Sequence, residues 1–335
     1  MKTVDALRAL AFLPAFGSCA GEPAEGTMPR VISPLRRRAL MPAFHDKRPP
    51  MQGLPSTEPL PSDPRLEQRL VARYLDILEV PRRRPGLGAL SELVRAHLLR
   101  IPFENLSKIY YAKRLQAATL PDLDRYLEDV HRFRLGGTCY ANNYFLHRLL
   151  VSLGYDAALC GADMAEPDVH VVNLVKVEGQ DFLVDAGYAA PFLEPLPLGL
   201  EPGHTVASGD DRYVLGPRDA KGRSRLERFR KGVLKHGYDL NPKPRRIHEF
   251  QSIIADSYRP QATFMNALLM ARFFDHGSVL IHNLAVVESH GLTSCTQVLP
   301  DQAALAEAIH RHFAIPRDFI METLAELDLG QDPWG

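Results

Sequence analysis

The sequence predicts an α+β fold in which a helical region precedes a β-rich region. Apolar residues recur at helical spacing between residues 66 and 154, and valine-rich runs typical of strands occupy residues 169–184. A last helical pattern extends from about residue 300 to residue 313. The first 65 residues follow neither pattern and hold eleven prolines, so we expect a disordered N-terminal segment there.

Composition indicates an enzyme-sized globular chain and excludes several other classes. The 335 residues are 45% hydrophobic and 24% charged, which suffices for a proper core in one large or two to three modest domains. Lys+Arg and Asp+Glu both number 40, so no excess charge points to nucleic acid or an anionic membrane. No apolar stretch approaches the roughly 18 residues of a membrane helix. We therefore expect neither a nucleic-acid nor a membrane partner.

Cysteine usage and the N-terminus both favour a cytoplasmic protein. The four cysteines (Cys19, Cys139, Cys160 and Cys295) are too scattered for a disulfide framework, and they lack the paired spacing of a zinc site. We therefore expect reduced thiols and no metal. An apolar run near the start could be taken for a secretion signal with a lipidated Cys19. Arg8 interrupts that run, however, and no good cleavage site follows it.

Four helices are predicted before residue 154. The first two patterns cover residues 66–77 and 90–98, and Pro102 stops the second. A third helix is expected over residues 121–133, with Pro121 near its first turn. The fourth follows Cys139 directly and closes at Gly154, a typical residue for the end of a helix.

The β-rich region begins with a predicted hairpin. Residues 169–177 and 182–184 read as strands, with Glu178 and Gly179 between them. A two-residue turn pairs Val177 with Gln180 and carries His170 to a position diagonal to Asp185 on the same face. A slip of one residue would instead turn Asp185 to the other face. Residues 212–215 and 279–287 are further strand-like stretches.

Three side chains suit a thiolate–imidazole–carboxylate triad. Cys139 follows two glycines that permit close approach, and it opens a helix whose N-terminal partial positive charge favours thiolate. His170 lies in the first strand and Asp185 ends the second. Such a triad activates a nucleophile for acyl transfer. The plainer alternatives are a buried packing cysteine, a half-buried strand histidine and an aspartate that bonds local amides.

Several runs in this order resemble the arylamine N-acetyltransferase family. They are IPFENL at 101–106, GGTCYANN at 136–143, VHVVNLV at 169–175, LVDAGY at 183–188 and PFLEPLPL at 191–198. The likeness covers about residues 66–320. It implies a helical bundle (66–154) with Cys139, a β-barrel (155–245) with His170 and Asp185, and an α/β lid (246–335). That arrangement has a cysteine-protease-like catalytic core.

The resemblance also implies an activity. The family moves an acetyl group from acetyl-coenzyme A to an arylamine, hydrazine or arylhydroxylamine by a ping-pong mechanism through an acetyl-cysteine, without a metal. By position, Phe103 and Tyr188 resemble the aromatic residues that line the acceptor pocket, although both also suit ordinary core packing. The implied partners are a small amine and acetyl-coenzyme A, and no feature of the sequence indicates an oligomeric state.

The chain departs from the family pattern beside the nucleophile. Leu135 stands where the family has an arginine that pairs with the glutamate corresponding to Glu104. Glu104 is therefore rescued by Arg134 or another cation, exposed to solvent, or protonated. Ala141 and Ala189 likewise replace a usual polar residue and a usual glycine.

Two other functions fit the same residues. Some family members close an amide within a polyketide chain instead of acetylating a free amine, and the triad would serve that reaction unchanged. The other alternative is a catalytically weakened homologue that binds acyl-coenzyme A or a partner protein.

Overall fold

The computed structural model describes residues 64–329. The prediction of disorder for residues 1–65, together with Cys19, lies outside them apart from Pro64 and Arg65, which open the first helix. Within the described residues, the predicted α+β fold is confirmed: a helical part comes first, then a nearly closed antiparallel sheet, then a smaller sheet with helices.

Five helices and one short strand precede residue 153. The four predicted helices are present, and the sequence reading missed a short fifth one after the IPFENL run. The elements are α1 (Pro64–Leu78), α2 (Leu87–Arg100), β1 (Phe103–Glu104), α3 (Leu106–Arg114), α4 (Leu123–Phe133) and α5 (Cys139–Ser152).

The ends of these helices follow local chemistry. The Asp122 side chain accepts a hydrogen bond from the Arg125 backbone N–H at 2.8 Å. Asp122 is thus the N-cap of α4, a position at which aspartate is a preferred residue. Arg134 ends that helix in the left-handed conformation, with φ of 60°. After α5, Gly154 has φ of 92°, where glycine is free of the steric penalty that other residues meet.

The central sheet has eight antiparallel strands and curves into a barrel-like shape. Its strands are β2 (Asp156–Asp163), β3 (His170–Val177), β4 (Gln180–Val184), β5 (Leu196–Pro197), β6 (His204–Ser208), β7 (Asp211–Leu215), β8 (Ser224–Arg230) and β9 (Val233–Pro244). They lie in the order β5-β4-β3-β2-β9-β8-β7-β6 across the sheet.

The hairpin of β3 and β4 has the predicted register. Glu178 and Gly179 have φ of 53° and 80°, which is the pair of left-handed residues that a tight two-residue hairpin turn requires. Val177 pairs with Gln180, and the pairing continues to the end of β4. Because successive side chains alternate between faces, this register brings His170 and Asp185 to the same side of the sheet.

The C-terminal part is a five-stranded sheet with helices. Its elements are α6 (Gln251–Asp256), β10 (Leu269–Phe274), β11 (Gly277–His282), β12 (Ala285–His290), β13 (Thr293–Val298), α7 (Gln302–Phe313) and α8 (Arg317–Leu324). Strand β1 pairs with β10, so the chain segment before the nucleophile belongs to this sheet. The helix predicted near residues 300–313 is α7.

The prediction of one strand over residues 279–287 is wrong. That stretch is a hairpin, because the chain reverses at Asn283, which has φ of 49°. Both β11 and β12 bury apolar side chains, so the sequence reads as one continuous apolar run. Asn283 also accepts a hydrogen bond from the Leu268 backbone N–H, which holds the turn in place.

Two apolar cores meet beside the start of α5. One lies under α1, α2, α4, α5 and the barrel, and the other lies under α3, α7, α8 and the C-terminal sheet. Phe103 forms a parallel bridge with Gly137, two residues before Cys139. The nucleophile's loop is therefore held between the two cores.

Candidate active site

Cys139 opens a 14-residue helix and is almost fully buried, at 8% exposure. The loop that delivers it needs glycine, because a Cβ at Gly136 would lie 2.0 Å from the Pro102 carbonyl oxygen. The predicted close approach is thus present. Because Cys139 is the first residue of α5, its sulfur lies at the helix N-terminus. The partial positive charge of that terminus stabilises a thiolate.

His170 and Asp185 form a buried ion pair, with His170 Nε2 2.8 Å from Asp185 Oδ2. Burial alone would lower the pKa of His170, but the Asp185 carboxylate and then Cys139 raise it above its ordinary value. His170 therefore holds its proton through neutral pH. Because Nε2 faces Asp185, Nδ1 is the ring nitrogen left for Cys139.

Asp185 is held by three further donors. Asn143 Nδ2 and the Gly187 backbone N–H donate to Oδ1 at 2.8 and 2.9 Å, and the Tyr238 hydroxyl donates to Oδ2 at 2.9 Å. Burial would raise the pKa of Asp185, but His170 and the donated hydrogen bonds lower it below its usual value. The carboxylate therefore stays charged and fixed in place.

The sequence reading missed two of these donors. Asn143 lies four residues after Cys139, so both face the same side of α5, and this spacing could have revealed it. Tyr238 lies on β9, 53 residues from Asp185, and no local pattern links the two.

The loop after β4 packs directly on the nucleophile. A Cβ at Gly187 would lie 2.5 Å from Cys139 Cα and 2.7 Å from Asn143 Nδ2. Only glycine allows this approach. Ala189, in the same loop, has φ of 56°, which explains why glycine is usual at this position. The geometry brings Cys139, His170 and Asp185 together, as the sequence predicted, while their catalytic roles stay predictions.

Both predicted pocket aromatics are buried near the triad. The Tyr188 ring lies edge-on to His170 at 5.7 Å and stacks on Phe192, and its hydroxyl bonds His236. The Phe103 ring lies 6.0 Å from Phe264. Tyr188 thus contacts the triad directly, and Phe103 lies in the strand that bridges the nucleophile loop. Their contact with an acceptor stays a prediction.

Glu104 is fully buried, which excludes the exposed state among the three alternatives for this residue. Its Oε2 accepts the Ser107 backbone N–H at 2.8 Å and its Oε1 accepts that of Gly136 at 3.0 Å. Burial raises the pKa of this carboxyl, which agrees with the protonated alternative. Arg134 is exposed, and no ion pair within residues 64–329 joins it to Glu104. Backbone N–H groups of Ser107 and Gly136 therefore satisfy the Glu104 carboxyl without Arg134.

Within residues 64–329, no group of three or more His, Cys, Asp or Glu side chains is arranged to hold a metal ion. No helix in this part of the chain is long and apolar enough to cross a membrane.

Comparison with known proteins gives a consistent result over most of the chain. A family model described as N-acetyltransferase matches residues 86–319. An arylamine N-acetyltransferase / N-hydroxyarylamine O-acetyltransferase of Salmonella typhimurium is 25% identical over 258 residues, which are 73% of this chain and 88% of that one. The solved arylamine N-acetyltransferase from Mycobacterium abscessus shares the fold, with a TM-score of 0.67 at 18% identity, over 82% of this chain and 100% of that one.

Two relatives that match shorter parts of this chain have names other than arylamine N-acetyltransferase. Proansamycin X synthase of Amycolatopsis mediterranei is 39% identical over 122 residues, 33% of this chain. An N-malonyltransferase of Fusarium pseudograminearum is 29% identical over 215 residues, 54% of this chain. The chain covers 45% and 61% of the lengths of these two relatives.

Proposed function

The chain belongs to the arylamine N-acetyltransferase family of acyltransferase enzymes, and from this premise we propose that it acetylates small amines. The proposed donor is acetyl-coenzyme A, and the acceptor is an arylamine, hydrazine or arylhydroxylamine. We further propose a ping-pong mechanism in which Cys139 carries the acetyl group. We also propose that it acts in the cytoplasm, where thiols such as that of Cys139 are kept reduced.

In the first half-reaction, the Cys139 thiolate attacks the carbonyl carbon of the donor thioester. A carbon–sulfur bond to Cys139 forms, and the bond to the coenzyme A sulfur breaks. The leaving sulfur takes the proton that His170 holds, so free coenzyme A departs as a thiol. Asp185 keeps the imidazole in the orientation that this transfer needs.

In the second half-reaction, the amine nitrogen attacks the acetyl-Cys139 carbonyl carbon. His170, now neutral, accepts the proton that the amine loses, and Cys139 departs as a thiolate. Asp185 stabilises the imidazolium that forms, as in other nucleophile–histidine–aspartate triads. The enzyme returns to its starting charge state.

One observation carries this proposal: His170 lies 2.8 Å from Asp185, beside a cysteine at a helix N-terminus. The Asp185 carboxylate also accepts three further hydrogen bonds, which fix its position. That arrangement maintains a charged imidazolium next to the sulfur, which is the condition for a reactive thiolate.

Rapid mixing tests the two-step mechanism. Mixed with acetyl-coenzyme A and no amine, the enzyme should release about one coenzyme A per active site in a burst. Steady-state plots at several amine concentrations should give parallel lines. Coenzyme A release that requires the amine would contradict the ping-pong order.

Amide synthesis is the second candidate, because the chain shares 39% identity over 122 residues with a proansamycin X synthase. The same triad would then act on a thioester and an amine of one long molecule. The similarity to an N-malonyltransferase likewise makes the donor's acyl group the feature to determine. Turnover with aniline or hydrazine favours acetyl transfer, whereas turnover restricted to long-chain amino thioesters favours amide synthesis.

A weakened binding homologue has less support. The feature that favours it is the replacement of the family's arginine by Leu135 beside Glu104, and the Glu104 carboxyl has main-chain donors from Ser107 and Gly136 instead. These bonds also hold the loop before Cys139. A burst of coenzyme A release excludes this alternative.

A further inference from the structure

Two tyrosine rings flank the His170 imidazole, and each is anchored at its hydroxyl. The centre of the His170 ring lies 5.7 Å from that of Tyr188 and 5.0 Å from that of Tyr238. Tyr238 is fixed by its hydrogen bond to Asp185. The Tyr188 hydroxyl bonds His236 instead, so this ring is held from outside the triad.

The second anchor is a chain of contacts across three neighbouring strands. The Tyr188 hydroxyl lies 2.5 Å from His236 Nδ1, and His236 Nε2 lies 3.4 Å from Arg228 Nη1. Arg228 on β8 pairs directly with His236 on β9. Its Nε and Nη2 donate to the two carboxylate oxygens of Asp211 on β7 at 3.0 and 2.9 Å. Because Arg228 and Asp211 are buried and doubly bonded, the far end of the chain is rigid.

The protonation of His236 follows from its partners. A guanidinium only donates hydrogen bonds, so His236 Nε2 accepts from Arg228 and the neutral ring carries its proton on Nδ1. Nδ1 therefore donates to the Tyr188 oxygen. Burial and then the positive charge of Arg228 lower the pKa of His236 to about 3, so this arrangement holds at neutral pH.

Strand β9 thus controls both sides of the imidazole. His236 and Tyr238 are two residues apart on this strand, so their side chains lie on the same face of the sheet. The hydrogen bond from His170 Nε2 to Asp185 fixes one atom of the ring but still allows the ring to rotate about that bond. Anchored walls on both sides remove this freedom, which keeps Nδ1 of His170 directed at Cys139.

We infer that His236 and Arg228 are positioning residues for acyl transfer, because they hold Tyr188 against the His170 ring. The inference rests on the proposed acyl-cysteine mechanism and adds two residues to its machinery. In this role neither residue contacts a reacting atom or exchanges a proton. The bond changes and proton transfers remain those of Cys139 and His170.

The test compares His236→Leu, which removes the donor, with His236→Asn, whose side-chain amide can replace the Nδ1–H group. His310→Leu is the control, because His310 is also partly buried and also bonds through Nδ1, to the Ile315 carbonyl at 2.7 Å. Single-turnover mixing with acetyl-coenzyme A gives the maximal rate of acyl-Cys139 formation and the donor concentration at half that rate. Iodoacetamide labelling of the Cys139 peptide at pH 7 reports the thiolate–imidazolium pair without any donor.

In His236→Leu the maximal acylation rate should fall about five- to tenfold, which is the factor that one hydrogen bond supplies, and Cys139 labelling should slow in parallel. The half-saturating donor concentration should change by less than about twofold, because positioning acts on the chemical step. His236→Asn should recover to within about threefold of the wild-type rate. His310→Leu should keep the wild-type rate.

Equal acylation rates in His236→Leu and wild type would overturn the inference, and so would a change confined to the half-saturating concentration. Tyr188→Phe repeats the test if His236→Leu does not fold, since it removes only the hydroxyl, and it should slow acylation about fivefold. Its control is Tyr155→Phe, which removes a buried hydroxyl bonded to the Gly86 carbonyl, beyond the far end of α5 and about 20 Å from Cys139. A wild type that forms no acyl-enzyme defeats the proposed function, whereas the labelling rates still decide this inference.

Discussion

Replacing Lys108 with methionine should stabilise the protein, and the gain should shrink as pH rises. Lys108 is buried, and burial lowers its pKa from 10.5 to about 7. Between these values the unfolded chain binds a proton that the folded chain does not, so wild-type stability rises with pH. Below pH 7 the folded protein carries the full cost of the buried ammonium. Methionine has a similar length and no charge, so the variant escapes that cost.

The expected size follows from the same pKa values. One pKa unit corresponds to about 1.4 kcal/mol, so a change from 10.5 to about 7 amounts to about 5 kcal/mol at pH values below 7. The variant's advantage should decline by about 1.4 kcal/mol for each pH unit above 7. Between pH 6.5 and pH 8.5 it should therefore fall by about 2 kcal/mol.

Urea unfolding of both proteins at these two pH values measures the effect. The change in the difference between variant and wild type is the decisive quantity, because packing differences contribute equally at both pH values. Lys113→Met gives the matched control for loss of a surface lysine. An advantage that stays constant with pH would refute the reasoning, since it would mean that Lys108 is solvated or already neutral at pH 6.5.

Three further predictions concern the triad and its supports. Asp185→Asn should lower kcat at least a hundredfold, because the analogous change in a serine triad lowers kcat by a factor on the order of 10⁴. Iodoacetamide labelling of Cys139 at pH 7 should slow in parallel. Unchanged labelling would mean that another carboxylate orients His170. Tyr238→Phe removes one of the donors to Asp185, so we expect a loss of about tenfold in kcat with little change in melting temperature; an unchanged kcat would show that this bond is dispensable. Gly187→Ala places a methyl group 2.5 Å from Cys139 Cα and should destabilise the fold by about 1–3 kcal/mol in urea unfolding; a neutral effect would mean that the loop moves freely.

Much of the site could be predicted because its signals are local. Two glycines before a helix identify Cys139, and a two-residue turn fixes the register that aligns His170 with Asp185. Short-range chemistry determines both features. The order of helical and β-rich regions also follows directly from apolar spacing.

The rest depends on contacts between distant segments. Tyr238 reaches Asp185 only because β9 pairs with β2, which no local pattern reveals. Glu104 lacks the arginine partner that the family pattern would supply, yet Ser107 and Gly136 satisfy it through backbone N–H groups that carry no sequence signature. Lys108 likewise reads as an ordinary helix residue until the chain from Ser257 packs over it.

The most direct test of the central claim is the mass of the enzyme after mixing with acetyl-coenzyme A in the absence of an amine. The account predicts a gain of one acetyl group per chain, located on the peptide that contains Cys139, and its loss when an amine such as aniline or a hydrazine is added. Cys139→Ala should show no gain while retaining the wild-type melting temperature. An unmodified wild-type chain, or an acetyl group that persists in the Cys139→Ala variant, would contradict the account.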